Sequence, residues 1–484
     1  MARGGVSAGR VGCWGWRRVR CWPDPWLLTH DVGVLWRSLR GIAPLSAVLV
    51  GGSRVELSFP DRREAHAWPS FELLGITLAG PAEPADSEVA NEITRALGGS
   101  VEAVSAGPSG LVAALWTQEG YPPWYRVVIW SGSCRAMTPD PVRVWGDPRW
   151  SPTGELAVAA FDGIRRGIVL VDPRDGATRW WSRPSSASYR LLALGPGGGD
   201  AVAVRSGGDG AVWLVRARPD GADQALQLLR PGDGITVSVV RWVHDGVALE
   251  GLLALPAGPG PHPVLVFLHG GPVGGLACGE HPDPSAWVSS GLAVFVPDFR
   301  SSGIGGRQRM RQAFGRHGLP ADDLEAGDVL AGVDLLTARG LADPAALTLF
   351  GHSYGGYLAG RIISRDHRFR AAVCCEAVAD LRLLDPVSKQ MQADWLGGDA
   401  GRMPDRWEAA SPAGSARCVR TPVLLIYAAA GDLAAQGQAW RRALTSAGVE
   451  NELIMVPGAD HVFSAGPAQQ RLTQAVSGWL ERHR

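Results

Sequence analysis

The residues most able to do chemistry lie in the segment Gly351-His352-Ser353-Tyr354-Gly355, which has the pattern G-x-S-x-G. A serine hydroxyl becomes a strong nucleophile only when a base removes its proton, and flanking glycines permit a turn tight enough to expose it. Four apolar residues precede the segment and a helical pattern follows it. This context predicts a nucleophile at Ser353, at a helix N-terminus where backbone amides can stabilise an oxyanion. A second match at residues 5–9 lacks this context.

A serine nucleophile also needs a histidine base and an acid that orients the histidine. Asp432 and His461 each come five residues after an apolar run. Loops that follow parallel strands meet at the carboxyl edge of a sheet, and the order serine, acid, histidine suits such an arrangement. We therefore predict a triad of Ser353, Asp432 and His461. Asp460 is a weaker candidate for the acid because side chains of neighbouring residues diverge.

Backbone N–H groups that receive a developing oxyanion form the fourth part of such a site. The segment His269-Gly270-Gly271-Pro272 directly follows an apolar run, and its consecutive glycines leave the amides unobstructed. We predict that the amides of Gly271 and Tyr354 form the oxyanion hole, and that His269 is structural. A plain Gly-Pro turn is the alternative interpretation of this segment.

Elements that would position these residues are indicated by apolar runs that alternate with helical patterns after residue 236. Runs that are apolar on both faces are typical of central strands in a parallel sheet. Segment 327–340 reads as a helix whose buried face carries Val329, Val333 and Leu336. Residues 236–484 are predicted to form a doubly wound, mostly parallel α/β sheet of the α/β-hydrolase type. The predicted strands are 264–268, 292–296, 347–350, 371–375, 423–427 and 453–456.

The region before residue 236 contains a repeat with a period of 44 residues. A Pro-x-Gly turn followed by two apolar strands occurs at residues 108, 152 and 196. Short strands joined by glycine-rich turns at this period predict the blades of a β-propeller. We expect a propeller over 31–235 with clear blades at about 101–230, and an uncertain tail over 1–30. At this period the region holds at most about five blades, so the propeller is expected to be short or incomplete.

Several segments together resemble the prolyl oligopeptidase family of serine peptidases, in particular its acylaminoacyl-peptidase and dipeptidyl-peptidase branch. The resemblance implies an N-terminal propeller, with Ser353 as nucleophile, Asp432 as acid and His461 as base. The sequence departs from the usual pattern of this family at two places. Residues 300–306 lack the usual tyrosine, which concerns substrate selection. Tyr427-Ala428 replace the usual His-Gly before the loop that carries the acid. The segments are HGGP at 269–272, DFRSSGIGG at 298–306, DPAALTLFGHSYGGYLAG at 343–360, WLGGDAGRMPDRWEAASP at 395–412, TPVLLIYAAAGD at 421–432 and PGADHVF at 457–463.

Composition excludes several other classes of protein. Lys+Arg and Asp+Glu are equal at 47 each, so net charge offers no electrostatic footprint for nucleic acid or an anionic membrane. The 7 cysteines are scattered without metal-ligand spacing, which favours reduced thiols in a cytoplasmic protein. We expect no metal and no organic cofactor. Exposed propeller edges make a homo-oligomer possible.

The sequence thus predicts a serine peptidase that hydrolyses amide bonds of short peptides through an acyl-enzyme. Two alternatives remain open. One is an esterase or amidase that acts on a small metabolite, and the other is a catalytically inactive propeller binding protein. The preferred residue at the cut and exopeptidase or endopeptidase action also stay open.

Overall fold

The fold is known from a computed structural model. It describes residues 48–50, 53–57, 76–79, 84–117, 125–139, 142–184, 187–230, 235–271, 285–302, 307–314, 322–463 and 466–483. The tail predicted over 1–30 and the second G-x-S-x-G match at 5–9 lie outside these residues.

Small antiparallel sheets make up the described part of the chain before residue 231. A three-stranded sheet comes first and three four-stranded sheets follow, each with its strands in sequence order. The first sheet contains β1 (Val48–Val50), β2 (Ser53–Leu57) and β3 (Ile76–Ala79), and helix α1 (Pro84–Leu97) follows it. The others contain β4 (Ser100–Ala106), β5 (Val112–Thr117), β6 (Arg126–Trp130) and β7 (Cys134–Met137); β8 (Arg149–Trp150), β9 (Leu156–Asp162), β10 (Arg165–Val171) and β11 (Thr178–Ser182); and β12 (Ala187–Leu194), β13 (Ala201–Gly207), β14 (Val212–Ala217) and β15 (Gln224–Arg230).

The 44-residue repeat corresponds to contacts between successive four-stranded sheets. The backbone N–H of Gly197 donates to Oγ1 of Thr153 at 2.6 Å, and these residues stand one repeat apart. The indole N–H of Trp150 donates to the carbonyl of Ser105 at 3.0 Å across the preceding pair of sheets. Equivalent turns therefore lie against each other, as expected when one supersecondary unit repeats and buries its apolar face on its neighbour.

An eight-stranded mixed sheet forms the rest of the fold. Its order is β16-β17-β19-β18-β20-β21-β22-β23, with an antiparallel hairpin at one edge and parallel pairing from β19 to β23. All six predicted apolar runs lie in this sheet, whereas the hairpin strands β16 and β17 were not predicted individually. The strands are β16 (Val237–His244), β17 (Val247–Ala254), β18 (His262–Leu268), β19 (Ala293–Asp298), β20 (Ala342–His352), β21 (Phe369–Cys375), β22 (Val423–Ala428) and β23 (Asn451–Val456).

Helices cover the eight-stranded sheet and bury its apolar faces. The helix predicted over 327–340 begins earlier, at Asp322, and its predicted inward residues Val329, Val333 and Leu336 are all buried. None of the described helices is long and apolar enough to cross a membrane. The helices are α2 (Ser285–Ser289), α3 (Arg307–Phe314), α4 (Asp322–Ala338), α5 (Tyr354–Ile363), α6 (Pro386–Leu396), α7 (Pro404–Ala410), α8 (Ala434–Ser446) and α9 (Gly466–Arg482).

A buried ion pair joins α4 to the loop after β19. Arg300 donates from Nε to Oδ2 of Asp328 at 2.8 Å and from Nη2 to Oδ1 at 2.6 Å, and both side chains are almost fully buried. Nδ1 of His244 lies 2.7 Å from the same carboxylate, which connects the hairpin to this pair. Because a buried charge without its partner is costly, the pair is expected to hold three elements together.

We predict that Asp328→Asn lowers the free energy of unfolding by about 3–5 kcal/mol, because the Arg300 guanidinium loses its buried counter-charge and keeps only the exposed Asp245 at 3.6 Å. Asp334→Asn is the matched control on the same helix. Its carboxylate is 64% exposed and pairs with Arg368 at the surface, so we expect a loss of at most about 1 kcal/mol. Urea denaturation followed by tryptophan fluorescence measures both. Equal losses in the two variants would contradict this role of the buried pair.

Candidate active site

Ser353 occupies a tight turn between the end of β20 and the start of α5. Its backbone has φ 56° and ψ −119°, a region that residues with side chains rarely occupy. The Ser353 N–H donates to the carbonyl of Cys375 at 2.8 Å, which fixes the turn to the end of the neighbouring strand β21. A strained turn between a strand and a helix is the form expected where the hydroxyl of a serine nucleophile must be exposed.

Two glycines make this turn possible through close approach. A Cβ atom at Gly351 would collide with the carbonyl of Gly355, and a Cβ atom at Gly355 would collide with the carbonyl of Leu268. Any side chain at either position would therefore force the backbone apart. The flanking glycines of the sequence pattern are thus required by packing on both sides of the serine.

His461 lies in the loop after β23 and contacts the serine directly. Its Nε2 atom is 3.0 Å from Oγ of Ser353. Phe463 closes the same loop with φ 54° and a fully buried ring, which anchors the loop in the core. The structure therefore brings together Ser353 and His461, two residues that are 108 positions apart in the sequence.

His352 fixes the backbone of the histidine loop. Its Nε2 atom lies 2.7 Å from the carbonyl oxygen of His461, and a carbonyl can only accept, so the proton of His352 is on Nε2. Burial, with a smaller contribution from His461, lowers the pKa of His352 to about 3. A neutral His352 thus donates to the loop that carries His461 over the whole neutral pH range.

The second nitrogen of His461 contacts a glutamate that sequence reasoning missed. Oε2 of Glu376 is 3.0 Å from Nδ1 of His461, and the glutamate side chain is only 1% exposed. Oε1 accepts from the N–H of Ala428 at 2.6 Å. Glu376 directly follows the buried strand β21. An acid at the end of a buried strand was the available signal in the sequence, because parallel strand ends face the site.

Asp432, the acid predicted from the sequence, is placed differently. It lies in the loop after β22 with an exposed side chain. Among the described residues, the carboxylate within hydrogen-bond distance of His461 belongs to Glu376, and Asp432 has no hydrogen bond to this histidine. Asp460 is also exposed. The arrangement differs from the expected one because the side chain of Asp432 points to solvent.

The predicted oxyanion donors flank the serine. A Cβ atom at Gly270 would lie 3.2 Å from Cβ of Ser353, so the glycine segment after β18 runs beside the nucleophile. Gly271 has φ 131°, a conformation that favours glycine. Tyr354 is the first residue of α5, and its hydroxyl donates to the buried Glu325 at 2.6 Å. That bond fixes the start of the helix against α4.

Comparison with known proteins gives a family for this part of the chain. Residues 282–484 match the model of the prolyl oligopeptidase family. The uncharacterized peptidase YuxL of Bacillus subtilis (strain 168) is 29% identical over 256 residues, which are 50% of this chain and 38% of that protein. The acylamino-acid-releasing enzyme of Arabidopsis thaliana is 24% identical over 237 residues, 46% of this chain and 30% of that enzyme.

Solved structures of similar proteins show the same fold. A puromycin-hydrolyzing peptidase of Mycobacterium tuberculosis has a TM-score of 0.65 at 20% identity, over 79% of this chain and 62% of that one. The acylaminoacyl peptidase of Pyrococcus horikoshii has a TM-score of 0.65 at 17% identity, over 79% of this chain and 63% of that one. This chain spans less than two thirds of the length of each of these relatives.

The low pKa of His352 predicts how the stability of this protein responds to acid. His352 stays neutral in the folded state down to about pH 3 but binds a proton near pH 6.5 when unfolded, so its contribution to stability is lost as pH falls from 6.5 towards 3. The slope is at most about 1.4 kcal/mol per pH unit. His352→Gln keeps a donor for the His461 carbonyl but cannot titrate.

We therefore expect the difference in free energy of unfolding between wild type and His352→Gln to shift in favour of the variant as pH falls from 8 to 4.5. Urea denaturation at several pH values measures this difference, with pH 8 as the reference. A difference that does not change with pH would contradict a half-buried neutral histidine.

Proposed function

We propose that the protein is a serine peptidase that hydrolyses amide bonds of short peptides through an acyl-enzyme. The observation that carries the proposal is the 3.0 Å contact between Nε2 of His461 and Oγ of Ser353 in a strained turn. A base at hydrogen-bond distance is what converts a weak hydroxyl into a nucleophile. The match of residues 282–484 to the model of the prolyl oligopeptidase family supports the same reaction class.

The proposed reaction follows from these positions. His461 accepts the proton of Ser353 as Oγ attacks the carbonyl carbon, and the backbone N–H groups of Gly271 and Tyr354 receive the oxyanion. His461 then gives the proton to the leaving amine. A water molecule, deprotonated by the same imidazole, attacks the ester; the bond to Oγ breaks, the imidazolium returns the proton to Oγ of Ser353 and the acid is released. No step requires a metal or an organic cofactor.

We also propose that the antiparallel sheets within 31–235 are blades of a short propeller in front of a hydrolase domain at 236–484. Support comes from the three sheets that have four strands each and from contacts at the 44-residue spacing. The two parts touch: the N–H of Ile164, in the β9–β10 turn, donates to Oε2 of Glu250 on β17 at 3.0 Å. Sheets that contact the hydrolase domain at β17 would admit only small substrates, such as short peptides, to the site.

An amidase or esterase for a small metabolite is the second candidate. One structural neighbour is named for the hydrolysis of puromycin and another for acylaminoacyl substrates. Both functions use the same serine and histidine, so only the acyl and leaving groups differ. A panel of N-acyl-aminoacyl and dipeptidyl 4-nitroanilides, compared with short-chain 4-nitrophenyl esters, separates the two by their kcat/KM values.

We predict that a fluorophosphonate probe labels the wild-type protein and does not label Ser353→Ala. Hydrolysis of the best anilide should fall by at least about 10³-fold in the variant, because removal of the nucleophile leaves only the oxyanion hole and binding. Ser446→Ala, which alters an exposed serine on α8, is the control and should be labelled like wild type. A folded wild-type protein that is neither labelled nor active on any substrate would refute the proposed function.

A further inference from the structure

We propose that Glu376 is the acid that positions His461, and that a carboxylate at position 431, in the loop after β22, would hold the same imidazole. The inference rests on the proposed function, because it assigns a role within that catalytic site. It transfers the orienting role from the loop after β22, where the sequence predicted it at Asp432, to the end of β21.

The contacts of Glu376 are those of an orienting acid. Oε2 accepts from Nδ1 of His461 at 3.0 Å, and the opposite nitrogen Nε2 faces Oγ of Ser353 at 3.0 Å. A carboxylate on Nδ1 fixes the tautomer in which Nε2 can accept the serine proton, and it stabilises the imidazolium that forms. Oε1 is held by the N–H of Ala428 at 2.6 Å. Both carboxylate oxygens thus have defined partners, as a buried charge requires.

The backbone at Glu376 is strained in a way that serves this contact. Its φ is 49°, an uncommon value for a residue with a side chain, and its N–H donates to the carbonyl of Ile426 at 2.8 Å. The preceding residue, Cys375, accepts from the N–H of Ser353 at 2.8 Å. Acid and nucleophile are therefore tethered through adjacent strand ends. Strain of this kind is kept where the surrounding structure fixes a functional conformation.

The loop after β22 explains why its own aspartate does not take the role. An ideal Cβ atom at Gly431 would lie 3.9 Å from Oε2 of Glu376, so position 431 faces the carboxylate. Asp432, one residue later, is exposed. Position 431 faces the carboxylate of Glu376 but is a glycine. Asp432 has a carboxylate, but its side chain faces solvent. Only a slight shift is needed to admit a side chain at 431, since its Cβ atom would lie 3.0 Å from Cβ of Ala428.

The first test compares isosteric variants of the two acids. Glu376→Gln should lower kcat/KM by about 10³-fold to 10⁴-fold, mainly through kcat, because an amide favours the wrong tautomer of His461. Asp432→Asn should change kcat/KM by less than twofold. Fluorescence and thermal unfolding establish that both variants are folded, and Glu376→Asp provides a second variant that retains the charge at a shorter reach.

The pH profile separates positioning from a merely structural role. Besides Glu376, the ionisable groups beside His461 in the described part of the chain are His352 at the end of β20 and Asp460 in its own loop. Loss of the glutamate charge destabilises the imidazolium, so the acid limb of the kcat/KM profile should move to lower pH in Glu376→Gln. A structural defect alone would lower the profile without moving this limb.

The second test returns the carboxylate to the adjacent loop. Glu376→Ala combined with Ala428→Gly should be almost inactive, and adding Gly431→Asp to this pair should restore at least about tenfold in kcat/KM, because the Cβ atom of the new aspartate would lie 3.9 Å from the place of Oε2. Adding Gly431→Asn instead is the matched control and should restore nothing. Rescue by Gly431→Asp but not by Gly431→Asn supports both parts of the inference.

The outcomes separate the inference from the function on which it rests. If wild type is active and Asp432→Asn loses activity while Glu376→Gln retains it, the inference is overturned and the peptidase function stands. An active wild type for which Gly431→Asp gives no more rescue than Gly431→Asn overturns the second part alone. An inactive wild type that no fluorophosphonate labels refutes the proposed function first.

Discussion

The turn at Ser353 is the constraint on which the rest of the catalytic region depends. A non-glycine residue at φ 56° costs on the order of 1–3 kcal/mol, so the turn persists only because its surroundings leave no alternative. β20 is paired on both sides, the buried α5 follows at once, and the Ser353 N–H is bound by the neighbouring strand. Glycines at 351 and 355 allow the backbone segments to touch.

Parallel strand order then decides what can reach the serine. β18, β20, β21, β22 and β23 are adjacent and parallel, so all of their carboxyl ends open at one edge. In the proposed site each end supplies one part: β18 is followed by the glycine segment, β20 by the serine, β21 by the glutamate, β22 by Gly431 and β23 by the histidine. Neighbouring strands are only about 4.8 Å apart. Glu376 after β21 therefore reaches the imidazole of His461, and we infer that a carboxylate at position 431 after β22 would reach it as well.

Most of the elements around the site could be predicted from the sequence, and the contact between Glu376 and His461 could not. The apolar runs identified six strands because burial on both faces leaves a continuous signal, as in 371–375 within β21. The amphipathic hairpin of β16 and β17 gives no such run. Glu376 was missed because side-chain direction in a loop depends on backbone angles such as its φ of 49°, which composition and spacing do not encode. For the same reason, the spacing does not show that position 431, and not Asp432, faces Glu376.

Two histidines at the site have different environments and therefore different tasks. His352 is half-buried, and its pKa of about 3 keeps it neutral, so it donates to the His461 carbonyl without adding positive charge. In the proposed reaction His461 becomes an imidazolium, which a second cation at that distance would oppose. The Glu376 carboxylate is instead the charge that faces this imidazole. A neutral His352 would therefore keep the loop fixed while the proposed base accepts and releases the proton.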